Sequence, residues 1–150
     1  MVTSVQAETA SREIVIDLAN NPDIPSEKTI HAWVELASEA SDGDVFLNFV
    51  DIHESRRLNQ AFRNIDEPTN VLSFPAQRED VLGDVAICVD VAKAEAEVQD
   101  KSLDSHLAHL VIHGVLHLRG FDHVNDQDAD YMERTEVALL ELIGVANPYE

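Results

Sequence analysis

The segment HGVLHLRGFDH, residues 113 to 123, holds three histidines whose spacing fits a metal site. His113 and His117 lie four residues apart, so on a helix they stand one turn above each other and can direct ring nitrogens to one point. Gly120 is suited to end that helix in a left-handed conformation, which would bring His123 back to the same point. Three neutral imidazoles leave a divalent ion charged and with one open position, as in catalytic zinc sites. The segment therefore predicts one divalent ion per chain that acidifies water near neutral pH.

The spacing also nearly matches the metzincin protease signature H-E-x-x-H-x-x-G-x-x-H. Gly114 stands where those proteases carry the glutamate that acts as general base. Because glycine has no side chain that could move a proton, the metal geometry is kept while peptidase chemistry is disfavoured. Three imidazoles also suit nickel, copper or iron, so the residues alone do not select zinc.

The helix predicted from Leu103 to about Arg119 carries apolar residues around almost its whole circumference, which is typical of a buried central helix. One stripe differs, because four histidines fall on a single face of that helix. These histidines are His106, His109, His113 and His117. The first two have two open interpretations, since they could support or line the metal site, or could simply pack in the core.

Around this helix the hydrophobic patterns predict about four strands and about five helices in total. The strands lie in REIVIDLAN, DVFLNFVDI, TNVLSFP and LGDVAICVDV, and Pro75 is expected to end the third. The helices lie in SEKTIHAWVELASEA, HESRRLNQAFRN, VAKAEAEVQD, SLDSHLAHLVIHGVLHLRG and NDQDADYMERTEVALLELIG. We expect an α+β fold in which a mixed sheet packs against the helices, with the metal site on the central buried helix.

The length of 150 residues, without an obvious linker, predicts a single domain over residues 1–150. Ten Lys and Arg against 29 Asp and Glu give a net charge of −19, which disfavours non-specific binding to nucleic acid or anionic membrane. Cys88 is the one cysteine, so no internal disulfide can form, which fits a reducing compartment. No apolar run approaches a membrane span, and the N-terminus lacks the basic start of a targeting segment. We expect a cytoplasmic protein with neither membrane nor DNA as partner.

Three separated blocks of the chain resemble the YbeY family of bacterial rRNA maturation endoribonucleases. The blocks are HGVLHLRGFDH, FRNIDEPTNVLSFP and LGDVAICVDV, and they place the resemblance over about residues 45 to 149. Gly114 is the family's own residue at that position. Asn70 differs, because many members carry aspartate there, and we expect this variation to be harmless.

The resemblance implies a metal-dependent endoribonuclease that is specific for single-stranded RNA. It implies a role in maturing the end of small-subunit ribosomal RNA and in ribosome quality control, with the ribosome or assembly factors as partners. It further implies a metzincin-like α/β fold and a zinc ion bound by His113, His117 and His123. Arg63 matches the family's functional arginine, which would contact a phosphate where negative charge builds during cleavage.

The residues by themselves leave several alternatives open. Arg63 could instead form a surface salt bridge to Asp66 or Glu67. Asp84 and Asp122 could orient imidazoles, although a turn carboxylate that bonds its own backbone explains Asp122 as well. At the level of function, the alternatives are a ribosome-assembly factor with a mainly structural metal and a peptide metallohydrolase. The native metal, the attacking group, the cleavage position and the oligomeric state stay open.

Overall fold

The computed structural model describes residues 12–38 and 41–150, and over these ranges the chain forms four strands and five helices. The strands are β1 Ile14–Asp17, β2 Asp44–Val50, β3 Val71–Arg78 and β4 Val81–Cys88. The helices are α1 Glu27–Ala37, α2 Ile52–Arg63, α3 Val89–Val98, α4 Leu103–Leu118 and α5 Asp126–Leu142. The predicted α+β class is confirmed.

Residues 1–11, on which the expectation about a targeting segment rests, lie outside the described residues. Of the five helices, none combines the length and the apolar character needed to cross a membrane.

The four strands form one mixed sheet in the order β1-β2-β4-β3. β2 pairs in parallel with both β1 and β4, while β3 pairs antiparallel with β4. Parallel neighbours need crossover connections, which is why helices intervene between them, whereas β3 and β4 are joined by a short hairpin. β3 is therefore an edge strand of this sheet.

The expectation that Pro75 ends β3 is wrong, because the strand continues to Arg78. Proline cannot donate to a sheet ladder, and in sheets it is confined to edge strands, strand starts and bulges. β3 meets two of these conditions, since it is an edge strand and its register with β4 shifts between Pro75 and Arg78.

The helix α4 lies at the centre of the molecule and contacts β3, β4, α1, α3 and α5. Ten of its sixteen residues are buried, which confirms the predicted central helix. Gly114 sets its distance from the sheet, because a Cβ atom there would lie only 2.7 Å from Cγ1 of Val85. The Ser73 hydroxyl donates to the Gly114 carbonyl at 2.9 Å. The histidine-bearing face of α4 is thus held in a fixed position relative to the edge strand β3.

Candidate metal centre

His113, His117 and His123 come together at the C-terminal end of α4. One ring nitrogen from each residue lies within 4.8 Å of the corresponding nitrogen of the other two. The ring centroids of His113 and His117 are 4.7 Å apart, as expected for neighbours one helical turn apart, and those of His117 and His123 are 5.1 Å apart. The structure therefore brings together all three histidines that the sequence nominates.

A Schellman turn returns His123 to the helix. Gly120 has a φ of 96°, and its backbone N–H donates to the carbonyl of His117 at 3.0 Å. The N–H of Phe121 donates to the carbonyl of Leu116 at 3.1 Å, which completes the two bonds of the motif. A Cβ atom on Gly120 would meet nothing within 4 Å, so the requirement for glycine comes from the backbone conformation alone. The predicted left-handed Gly120 is confirmed.

The donor set fits a divalent transition-metal ion. Burial lowers the pKa of His117 below its ordinary value, and the neighbouring His113 and His123 lower it further. His117 is therefore neutral near pH 7, and an ion needs the lone pair of a neutral imidazole. Bond lengths of about 2.0–2.1 Å are typical between zinc and imidazole nitrogen, so small side-chain rotations suffice for three nitrogens already this close.

A cavity of about 600 Å³ covers the histidines and joins them to the edge of the sheet and the end of α2. His123 is exposed and His113 and His117 are half-buried, and all three residues line this cavity. The cavity is lined by Arg63, Asn70, Val71, Ser73, Pro75, His113, His117, Gly120, Phe121, Asp122 and His123. A substrate in this cavity would reach the histidine nitrogens and the Arg63 side chain together.

Arg63 is the last residue of α2, as predicted, and Asn64 ends the helix in a left-handed conformation with φ 60°. Asp66, the sequence alternative as its salt-bridge partner, is engaged by Arg56 through two hydrogen bonds of 2.7 and 3.0 Å. Across residues 12–38 and 41–150, no carboxylate forms an ion pair with Arg63. Its guanidinium is therefore available to a ligand in the cavity.

Glu136 on α5 is the carboxylate that contacts the histidine cluster. Its side chain is completely buried, with 0% relative exposure. Its Oε2 lies 2.7 Å from Nδ1 of His113, and its Oε1 lies 2.8 Å from Nε2 of His109. The hydroxyl of Tyr149 also donates to Oε1. The carboxylate thus accepts hydrogen bonds from three side chains.

The surroundings of Glu136 decide its charge and the orientation of His113. Burial alone raises the pKa of this carboxyl, but hydrogen bonds from His109, His113 and Tyr149 outweigh it and lower the pKa to about 2. An ionised carboxylate can only accept, so His113 donates from Nδ1. The neutral ring then carries its lone pair on Nε2, which is the nitrogen left for an ion.

Sequence reasoning missed Glu136 and considered Asp84 and Asp122 for this role. Asp84 is exposed. Oδ1 of Asp122 accepts the backbone N–H of His123 at 2.7 Å, so Asp122 is a turn carboxylate that bonds the neighbouring backbone. One signal was available in the sequence. Glu136 lies four residues from both Met132 and Leu140, so it occupies the apolar face of α5. A charged residue on a buried stripe predicts a paired partner.

Histidine and carboxylate ligand atoms also converge at His109, His113 and Glu136. Each oxygen of Glu136 already accepts a hydrogen bond from an imidazole there. This arrangement is that of a hydrogen-bonded carboxylate, through which His109 is linked to His113.

His106 has a separate carboxylate partner. Its ring is 3% exposed, and its Nε2 lies 2.8 Å from Oε1 of Glu95 on α3. The amide of Asn70 donates to both oxygens of Glu95, at 3.0 and 3.2 Å. Since Asn70 lines the cavity, hydrogen bonds link His106 to it through Glu95 and Asn70.

Comparison with known proteins shows extensive similarity to one family. A family model described as Endoribonuclease YbeY matches residues 16–144. The endoribonuclease YbeY of Colwellia psychrerythraea is 44% identical over 137 residues, which cover 84% of this chain and 88% of the relative. The endoribonuclease YbeY of Pseudomonas savastanoi pv. phaseolicola is 42% identical over 145 residues, which cover 91% of this chain and 87% of the relative. The endoribonuclease YbeY of Methylococcus capsulatus is 39% identical over 142 residues, which cover 91% of this chain and 95% of the relative.

A solved structure is also similar. The solution structure of TM1509 from Thermotoga maritima superposes with a TM-score of 0.57 at 29% sequence identity. The match covers 85% of this chain and 87% of that protein. The histidine cluster, the turn at Gly120 and the end of α2 all lie within the residues that the family model matches.

Proposed function

Because the chain belongs to the YbeY endoribonuclease family, we propose that it cleaves single-stranded RNA during ribosomal RNA maturation. The observation that carries this proposal is that three clustered histidines share one open cavity with Arg63, which forms no ion pair within residues 12–38 and 41–150. A phosphodiester in that cavity would meet both groups. The small-subunit rRNA precursor in the cytoplasm is the proposed substrate.

The proposed cofactor is one zinc ion per chain, held by His113, His117 and His123. When bound, such an ion supplies positive charge that stabilises developing negative charge on phosphate oxygens and acidifies water. The residues of the chain prepare the site for it. Glu136 accepts a hydrogen bond from Nδ1 of His113, which would leave Nε2 to bind the ion, and burial favours the neutral form of His117.

Arg63 is proposed to bind the phosphate that is cleaved. Its planar guanidinium can donate two parallel hydrogen bonds to phosphate oxygens. Negative charge on those oxygens increases towards the transition state, so a donor fixed in advance stabilises that state more than the substrate. Arg63 lies at the end of α2 and has no carboxylate partner among the residues that the structure describes, which supports this role.

The net charge of −19 bears on how substrate reaches the site. Long-range repulsion lowers the affinity for arbitrary RNA, since non-specific binding is electrostatic. We therefore include in the proposal that the ribosome or an assembly factor delivers the precursor. Strong RNA affinity of the isolated protein at physiological salt would contradict this part.

The structure disfavours the two alternative functions. A side chain at position 114 would point at Val85 and Val71, so the place of the protease glutamate is filled by sheet packing. A structural ion is normally enclosed by four protein ligands, whereas these three histidines face an open cavity.

The test combines metal analysis with RNA cleavage on one preparation. We expect about one zinc ion per chain and cleavage of a single-stranded oligoribonucleotide, with a duplex of the same sequence as control. Chelation should stop cleavage while the helical spectrum persists, and added zinc should restore it. Loss of the helical spectrum on chelation would support a structural metal. Unchanged cleavage after complete metal removal would contradict a metal-dependent reaction.

A further inference from the structure

A second cavity, of about 400 Å³, adjoins the one over the histidines. Its lining residues are Arg119, Gly120, Phe121, Asp122, Asp128 and Tyr131. Gly120, Phe121 and Asp122 line both cavities, so the turn that returns His123 to α4 forms their common wall. A polymer that lies across the histidines can therefore place its next unit in the second cavity.

The wall of this second cavity is aromatic. The rings of Phe121 and Tyr131 are stacked, with centroids 5.2 Å apart and an interplanar angle of 21°. Tyr131 is 59% exposed, so a large part of its ring is free for a further stacking partner. Arg119 also packs on Phe121, with its guanidinium carbon 5.2 Å from the ring centroid.

The charges around the rings disfavour a phosphate and suit a neutral group. Asp122 and Asp128 contribute two carboxylates against the one guanidinium of Arg119. That guanidinium already donates to the carbonyl of Ala37 at 2.7 Å. Each carboxylate is bonded through one oxygen, to the N–H of His123 or the amide of Asn125, and can still accept from N–H groups of a ligand. Planar, uncharged groups with N–H edges are what nucleobases offer.

We propose that Phe121 and Tyr131 form a stacking platform for one nucleobase of single-stranded RNA, next to the phosphate that is cleaved. The inference rests on the proposed function, because it assumes that RNA occupies the histidine cavity. Stacking on aromatic rings is a main source of single-strand affinity and does not depend on the protein's net charge. The platform thus supplies local affinity that a protein with a charge of −19 cannot obtain from long-range attraction.

The test measures affinity of a short single-stranded RNA for the full chain and three variants. Tyr131→Leu keeps an apolar side chain but removes the ring, and we expect a loss of about 5- to 150-fold, the range for one base stack. Tyr131→Phe keeps the ring and should bind within about twofold of the parent. Leu142→Ala is the matched control, because Leu142 lies on the same helix, is 72% exposed and lines neither cavity. Kinetically, Tyr131→Leu should raise KM and leave kcat nearly unchanged.

A second measurement uses RNAs in which one nucleotide at a time lacks its base. For the parent protein, removing the base at one position of the RNA should lower the binding affinity. For Tyr131→Leu, removing the same base should change the affinity very little, because the stacking contact is already lost. This scan works on the unmodified protein, so it stands even if a variant folds poorly. Equal binding of the parent and Tyr131→Leu, or no position-specific cost in the parent, would overturn the platform. RNA that shows the position-specific cost without being cleaved would keep the platform and contradict the proposed function.

Discussion

The two halves of the histidine stripe on α4 share a residue type and a helix face, yet they have different surroundings. His106 and His109 are enclosed by α3 and α5. The Nε2 atom of each forms a hydrogen bond with a glutamate, half-buried Glu95 for His106 and buried Glu136 for His109. His113 and His117 lie at the open end, where the cavity begins. Imidazole spacing alone does not separate the two halves. Their carboxylate partners and their access to the cavity do separate them. Our proposal therefore gives the first half a supporting role and the second half the role of binding the ion.

The largest expected effect comes from removing an imidazole of the open half. His117→Ala should lose most of its metal, and cleavage should fall to the level seen without protein, because two imidazoles hold a divalent ion poorly. The helical spectrum should stay near normal, since apolar packing holds α4. His106→Gln, in the enclosed half, serves as the control and should keep its metal. Normal metal content in His117→Ala would contradict the ligand assignment.

Arg63 comes next, because it shares the cavity with the open half. Arg63→Ala should lower kcat by about 10²- to 10³-fold, the effect of losing one donor to developing charge. Metal content should not change, and Arg63→Lys should recover only part of the rate, since an ammonium lacks the two-pronged geometry. Arg57→Ala is the matched control, because Arg57 pairs with Glu54 on the same helix. A rate for Arg63→Ala within about threefold of the parent would make Arg63 a surface residue.

Glu136 connects the two halves, since it contacts both His109 and His113. Glu136→Gln preserves shape but removes the charge that holds Nδ1 of His113, so zinc affinity should fall by about 10- to 100-fold. Competition with a chromophoric chelator measures this affinity without reference to cleavage. Glu141→Gln, an exposed change on the same helix, should leave it unchanged. Equal zinc affinity in Glu136→Gln would mean that the buried carboxylate stabilises packing alone.

Asn70 tests the hydrogen bond that joins the cavity wall to Glu95, the partner of His106 in the enclosed half. Asn70→Asp replaces the amide that donates to Glu95 by a second carboxylate, so the free energy of unfolding should fall by about 1 kcal/mol. Urea unfolding measures the change. Adding Glu95→Gln to Asn70→Asp should recover most of the lost unfolding free energy, because the amide introduced at position 95 can donate to the carboxylate introduced at position 70. An unaffected single variant would support the expectation that aspartate at this position is harmless.

The smallest effect concerns the pH dependence of folding. Burial lowers the pKa of His106, although the hydrogen bond to Glu95 opposes this. The folded imidazole therefore binds a proton less readily than the unfolded one, so protonation favours unfolding. The stabilising contribution is complete above the unfolded pKa of about 6.5 and is lost as the pH falls below it. The stability difference between the parent and His106→Gln should narrow from about pH 7.5 to about pH 5.5, and a constant difference would contradict the assignment.

Local patterns in the sequence were sufficient for most of the secondary structure. The segment SEKTIHAWVELASEA predicts α1, and its first residue, Ser26, accepts the N–H of Thr29 as an N-cap does. The segment HESRRLNQAFRN, which contains all of α2 except Ile52, and the turn at Gly120 can also be identified from the sequence, because caps and left-handed residues depend on neighbours within a few positions. The sequence does not predict the end of β3 correctly. Whether a strand can contain a proline such as Pro75 depends on the position of that strand in the sheet.

The sequence by itself determined that His113, His117 and His123 converge, because helix periodicity and a glycine turn are local properties of eleven consecutive residues. Tertiary structure decided which carboxylate holds which imidazole, because Glu136 lies 23 residues from His113 and Glu95 lies 11 from His106. It also decided that Asp66 pairs with Arg56, which leaves Arg63 to the cavity. Partner choice of this kind depends on how helices and the sheet pack against each other, and no spacing along the chain encodes it.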